Sequence, residues 1–209
     1  MEILPLLEDI KKTEHGFKHI VDAGEKVLRD RSLMHLELAV ELLSDQHYQV
    51  RMLGTYLLGE LSAHCQQALM MLEIQLAADQ NWRVQEMLAK AFDRYCQTIG
   101  YGQSLPVINR WLGSDNANVK RAVVEGLRIW TSRPYFKTHP ETAIKLISQH
   151  RADKSEYLRK SVGNALHDIA KKHSDLVQDE IASWDLTNPK IKFTYKQVVK
   201  SAGYGRCGK

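Results

Sequence analysis

Cysteine is scarce, with three in 209 residues. Cys65, Cys96 and Cys207 stand far apart and form no CxxC pair, which excludes a disulfide framework and points to a reducing compartment. Proline is also rare, at five. Alternating runs of Val, Ile and Thr are nearly missing, and both absences argue against a sheet-based fold. No apolar run reaches membrane length, and the opening MEILPLLEDIKK is too short and too acidic for a signal peptide. Neither GxxxxGK[ST] nor GxGxxG occurs, so the phosphate loops of nucleotide-binding proteins are lacking. His15 and His19 stand four apart, yet no third ligand follows at a useful spacing, and the nine histidines supply no metal set. The expectation is a cytoplasmic chain with no membrane partner and no metal.

What is present is enough apolar material, 44% of residues, for one domain or one repeat array. Charge is unevenly placed. Residues 1–119 hold 11 Lys/Arg against 16 Asp/Glu, whereas residues 120–209 hold 18 against 9. A basic half of this kind either attracts a polyanion such as nucleic acid or is a solvated surface, and composition leaves both open.

The chain repeats. SDQHYQVRMLGTYLLGEL, ADQNWRVQEMLAKAFDRY, SDNANVKRAVVEGLRIW and ADKSEYLRKSVGNALHDIA align, and TNPKIKFTYKQVVKSAG is a weaker fifth copy. Each places an aliphatic residue after a polar turn, at Val50, Val84, Val119, Leu158 and Ile191, separated by 34, 35, 39 and 33 residues. The turn acids Asp45, Asp79, Asp115 and Asp153 suit the positive start of a helix. Apolar residues then recur at helical spacing, as in Leu53, Leu57, Leu58 and Leu61, or Met87, Leu88, Ala91, Phe92 and Tyr95. Another amphipathic helix precedes each turn, for example SLPVINRWL. The pattern predicts an all-α fold, an α-solenoid of about five HEAT-like helix pairs, curved around a concave basic groove. Residues 1–44 form N-terminal helices or a cap, and 45–205 the repeats, within one domain spanning 1–209.

In such an array the second helix of each pair lines the inner face, so its non-core positions are candidate ligand contacts. Trp82 and Glu86 lie four apart, on one side of a helix. Arg121, Glu125 and Arg128 share a face of the next, and Arg159, Lys160, Asn164, His167 and Asp168 fall on the fourth. The alternative is ordinary surface ion pairing. Arg51 and Arg159, directly after the aliphatic residue, suit a bridge to the turn acid of a neighbouring repeat. Trp111, Trp130 and Trp184 fall where helices pack, and the cysteines read as core or surface thiols. The Gly-rich basic tail SAGYGRCGK either frays or trails along phosphates.

The phrases NWRVQEMLAKAF, NVKRAVVEGLR and EYLRKSVGNALHDIAKKHSDLV resemble the HEAT-repeat alkylpurine DNA glycosylases, the AlkC and AlkD group, with most likeness to the AlkC branch, over about residues 45–205. The resemblance implies excision of alkylated purines from duplex DNA by a cofactor-free protein, possible as a monomer and nucleoid-associated in a bacterium. By position it implies Glu86, Glu125 and Asp168 as catalytic acids and Trp82 as an aromatic wall beside the scissile nucleotide. Arg121, Arg128, Arg159 and Lys160 become phosphate contacts. Those residue types fit: an alkylated purine is a good leaving group, and carboxylates stabilise the oxocarbenium character that develops on the sugar. Val124 stands where the family pattern has Ser, and the acidic residues 1–44 offer a DNA groove little. A catalytically inactive relative that binds DNA or protein therefore stands as the alternative.

Overall fold

The computed structural model describes residues 2–74 and 78–200, apart from the side chains of Ile129 and Trp130. The tail SAGYGRCGK lies outside the described residues. Among those described, the chain forms thirteen helices and no strand. Helices α1 (Ile3–Lys11) and α2 (Lys18–Arg29) come first. Five pairs follow: α3 (His35–Leu42) with α4 (Tyr48–Leu61), α5 (Gln66–Ile74) with α6 (Trp82–Ile99), and α7 (Leu105–Leu112) with α8 (Ala117–Trp130). The last two are α10 (Pro140–Ser148) with α11 (Glu156–Ala170) and α12 (Ser174–Ala182) with α13 (Pro189–Val199). A short helix, α9 (Pro134–Thr138), enters ahead of the fourth pair and accounts for the longest repeat separation.

The chain divides into two compact units, Met1–Ile99 and Gly100–Lys209. In the first, α2, α3 and α5 pack on α4, and α4 packs along α6. Ile20, Val27, Leu53, Leu57, Leu58, Val84, Leu88 and Phe92 are its sealed core. Gly59 permits the approach of α4 to α6, since a Cβ there would meet the Ala91 Cβ at 2.7 Å. In the second, α8 packs on α11 and α11 on α13, with α7 and α10 behind them. Trp111, Val123, Leu127, Phe136, Val162, Leu166 and Val198 form its core, with Trp184 buried beside them. Trp111 and Trp184 are thus core fillers.

The repeating aliphatic residue is the anchor of every pair: Val50, Val84, Val119, Leu158 and Ile191 are all buried. The turn acids act one step earlier than expected. Asp45, Asp79 and Asp153 accept the backbone N–H two residues on, from His47 at 2.7 Å, Asn81 at 2.7 Å and Ser155 at 2.8 Å. They fold the turn, and the helix-start amides are taken by later side chains, Asn81 on Arg83 N at 2.9 Å and Ser155 on Leu158 N at 3.3 Å. In the third pair Ser114 replaces Asp115, its Oγ accepting from Asn116 N at 3.1 Å. The fifth copy has its turn acid after all: Asp185 accepts from Thr187 N at 2.9 Å.

In the first, second and fourth pairs the residue after the aliphatic anchor closes its own turn. Arg51 Nη1 donates to the carbonyls of Asp45 (2.9 Å) and Gln46 (3.0 Å), and Arg159 Nη1 does the same to Asp153 (2.7 Å) and Lys154 (3.2 Å). Gln85 donates to the Asp79 carbonyl at 2.7 Å. Pair is also tied to pair: Arg51 Nε reaches Asp79 at 2.6 Å, and Lys120 reaches Asp153 at 2.5 Å.

Candidate nucleic-acid interface

In the first unit the site residues stand on the opening turns of α6. Asn81 and Asp79 fold the turn that starts the helix, so Trp82 projects from its first residue and remains 52% exposed. Glu86 follows one turn later, half-buried, and makes no hydrogen bond or ion pair among the described residues. The Arg83 guanidinium lies 4.5 Å from the Trp82 ring and 5.1 Å from the Tyr48 ring, and donates to His15 Nδ1 at 3.0 Å. Sequence reasoning had passed over Arg83. Its partners come from 35 and 68 residues away, a relation no local spacing reveals.

In the second unit the packing of α8 on α11 brings four of the expected residues into one chain of charges. Arg121 Nη2 stands 3.8 Å from Glu125. Glu125 then accepts from Arg128 Nη1 at 3.1 Å. Arg128 also donates to Asp168 across the helix pair, through Nη2 at 2.5 Å and Nε at 3.0 Å. Asp168 takes a further bond from Lys171 at 2.7 Å. Burial alone pushes the Asp168 carboxyl up, but the Lys171 and Arg128 donors outweigh it and hold it below the ordinary carboxylate range. Burial lowers Arg128, and its bonds to Asp168 and Glu125 more than restore it. Two acids and three cations therefore neutralise one another locally, with one positive charge over.

The remaining expected contacts divide. Lys160 is exposed and has no partner among the described residues. Arg159 is only 8% exposed and uses its guanidinium inside its own turn, 5.3 Å over the Phe193 ring. Arg121 is equally buried, with its Nε lacking a partner and its guanidinium 4.3 Å over the Tyr157 ring. Tyr157 is itself 51% exposed, a second open aromatic face that the sequence reading missed. An aromatic residue directly before an anchor, as in EYLRK, was the available signal. Glu125 and Asp168 are thus brought together; Glu86 and Trp82 belong to the other unit.

Helix pairs repeated in order, each anchored by a buried aliphatic residue on its second helix, define a HEAT-like α-solenoid. The chain belongs to the DNA alkylation repair enzyme family, whose model matches residues 20–197. It is similar to AlkD2 from Streptococcus mutans, with 44% identity, a TM-score of 0.87, and 94% of this chain and 95% of that one covered. It also shares the fold of the Pseudomonas fluorescens alkylpurine DNA glycosylase AlkC, solved bound to DNA containing an abasic site analog. That likeness has a TM-score of 0.66 and 21% identity, covering 88% of this chain and 52% of AlkC. Of these two, AlkD2 shares more of the sequence. Uncharacterized protein YhaZ of Bacillus subtilis is 34% identical over 98 residues, 43% of this chain. The match spans 28% of YhaZ. Among the described residues no helix is long and apolar enough to cross a membrane.

Proposed function

We propose that the protein is a DNA glycosylase of alkylation repair, hydrolysing the N-glycosidic bond of cationic alkylated purines in duplex DNA. The observation that carries this is Glu86, a carboxylate with no counter-ion among the described residues, one turn from the open ring of Trp82. Its negative charge is available to stabilise the oxocarbenium character of the sugar and to orient water, while Trp82 walls the nucleotide and attracts a cationic base. Glu125 and Asp168 are the further acids of the reading, and both already hold Arg128. Arg121, Arg128 and Lys160 meet phosphates, and Arg159 supports them by fixing the turn before α11. The chemistry asks for no metal or cofactor, and the reading is of a monomer acting where a bacterial genome lies, at the nucleoid.

Release of alkylated bases from methylated genomic DNA tests the reading. Glu86→Gln is expected to lower the rate on the order of 10²–10³-fold, the usual loss when a group aimed at developing charge is removed. Glu125→Gln and Asp168→Asn lower it less, because Arg128 already screens them. Equal release by wild type and all three variants removes the assignment.

One observation favours a second reading, a catalytically silent module that binds DNA or protein. Arg128 occupies both Glu125 and Asp168, as a cation would in a site that no longer receives one. No base release by wild type, together with salt-sensitive duplex binding, selects a silent DNA-binding module.

A further inference from the structure

We infer that Arg83 is a further DNA contact, a phosphate-binding guanidinium held in a preset position by Tyr48, Trp82 and His15. The inference rests on the DNA-handling reading above and adds a cationic anchor in the acidic unit, where none was assigned.

In that unit Lys11, Lys12, Lys18, Arg29, Arg51 and Arg94 each lie against a carboxylate. Among the described residues Arg83 does not, nor do Lys26, Arg31 and Lys90, but Arg83 alone of these four is held by two rings and an imidazole, and it leaves Glu86, three residues on at the spacing of helical ion pairs, unbridged. Its side chain turns instead to the Trp82 ring at 4.5 Å, the Tyr48 ring at 5.1 Å and His15 Nδ1 at 3.0 Å. Tyr48 is itself tied down, its hydroxyl donating to the Glu14 carbonyl at 2.7 Å. Two aromatic faces and an imidazole nitrogen locate a cation without cancelling its charge.

That arrangement suits capture of an external anion. A guanidinium has five N–H donors in a planar fork, and His15 takes one of them. The fork matches two oxygens of a phosphodiester, and a side chain already confined by neighbours loses less entropy when it binds. Trp82, half in solvent beside it, keeps the cluster open. Arg83 also leaves Glu86 free, so one turn of α6 presents a cation for the backbone and an unneutralised acid for the sugar.

The test is anisotropy of a fluorescein-labelled DNA duplex titrated with the full-length protein at several salt concentrations. Arg83→Gln is expected to reduce the slope of log K against log salt by about one, the signature of one lost phosphate contact. Arg83→Lys keeps the slope and weakens binding, because an ammonium loses the fork. His15→Ala and Tyr48→Ala keep the slope with a several-fold loss of affinity. His15 is exposed, so its variant reports on positioning even where Tyr48→Ala fails to fold. Lys26→Gln, an exposed cation on α2, leaves the slope unchanged. A steep wild-type slope that Arg83→Gln does not alter, or that Lys26→Gln alters equally, overturns the inference and leaves the DNA reading standing. Full affinity in both positioning variants overturns the preset geometry. A wild type without salt-sensitive duplex affinity overturns the inference and the DNA reading together.

Discussion

Lys120 and Asp153 meet with side chains 10% and 9% exposed, and their bond links the third pair to the fourth. Burial pushes the Asp153 carboxyl up, but the Lys120 bond and the Ser155 amide prevail and hold it below its ordinary value of 3.8. A carboxylate with a depressed folded-state pKa contributes stability above its unfolded pKa and loses that contribution as pH falls through the folded one. Asp153→Asn is therefore expected to cost about 3 kcal/mol at neutral pH, where it strands a buried ammonium. The gap to wild type should narrow as pH falls below the ordinary value of 3.8 and through the depressed folded-state pKa, where Asp153 becomes protonated in both states. Urea unfolding at pH 7 and at several acidic values measures it, and a gap that stays constant denies Lys120 its partner. Such residue-scale pairs were partly legible. An Arg or Lys directly after the anchor was expected to bridge to a neighbouring turn, and Arg51 and Lys120 do so. Arg159, with the same address, closes its own turn, stands 3.7 Å from Glu156 of the same helix and lies over the Phe193 ring of the fifth pair, where a bridge to the next turn acid was expected.

At the scale of the helix, close approach is set by residues without side chains. A Cβ on Gly163 of α11 would stand 2.9 Å from the Thr194 carbonyl and 2.3 Å from Gln197 Cβ, so α13 would have to move. Gly163→Ala gains about 1 kcal/mol of helix propensity and loses about 1–3 to overpacking. The net expectation is a lower melting temperature, by roughly 2–4 °C per kcal/mol lost for a chain of this size. A Cβ on Gly113, past the end of α7, would meet nothing nearer than the Arg110 and Asn109 carbonyls at 3.4 Å, so Gly113→Ala should leave the melting temperature level or higher. Calorimetry of the two variants separates packing from propensity, and equal shifts would deny the α11–α13 contact its tightness. The helices themselves were readable because burial at 3.6-residue spacing is local, as in Leu53, Leu57 and Leu58. Asp185 escaped notice because its turn, WDLTNPK, places the acid farther from the anchor than in the other copies. Tyr157 and Arg83 escaped because an exposed ring or cation acquires meaning only from what a different repeat sets beside it.

Across the whole molecule the charge is polarised along the chain. Residues 1–99 hold 10 Lys/Arg against 15 Asp/Glu, and residues 100–209 hold 19 against 10. A difference of that size matters for the rate and strength of association with a polyanion, and not for the fold. The two acids on the α8–α11 face are answered by Arg121, Arg128 and Lys171, so they do not cancel Lys160 and Lys172 on the same helix and its end. Among the described residues Lys172 is held only by the Ser132 hydroxyl at 3.3 Å, a neutral partner that a phosphate would readily replace. If four phosphates are engaged, duplex affinity falls on the order of 10²-fold between 50 and 200 mM salt. Lys160→Glu and Lys172→Glu should each flatten that dependence by about one contact, whereas neutralising Glu37 on α3 should raise affinity only through the weak, screened field of the acidic unit. Affinity that stays flat in salt would make the basic half a solvated surface and deprive DNA handling of its electrostatic basis. A steep dependence unmoved by Lys160→Glu and Lys172→Glu would shift the contact away from α11.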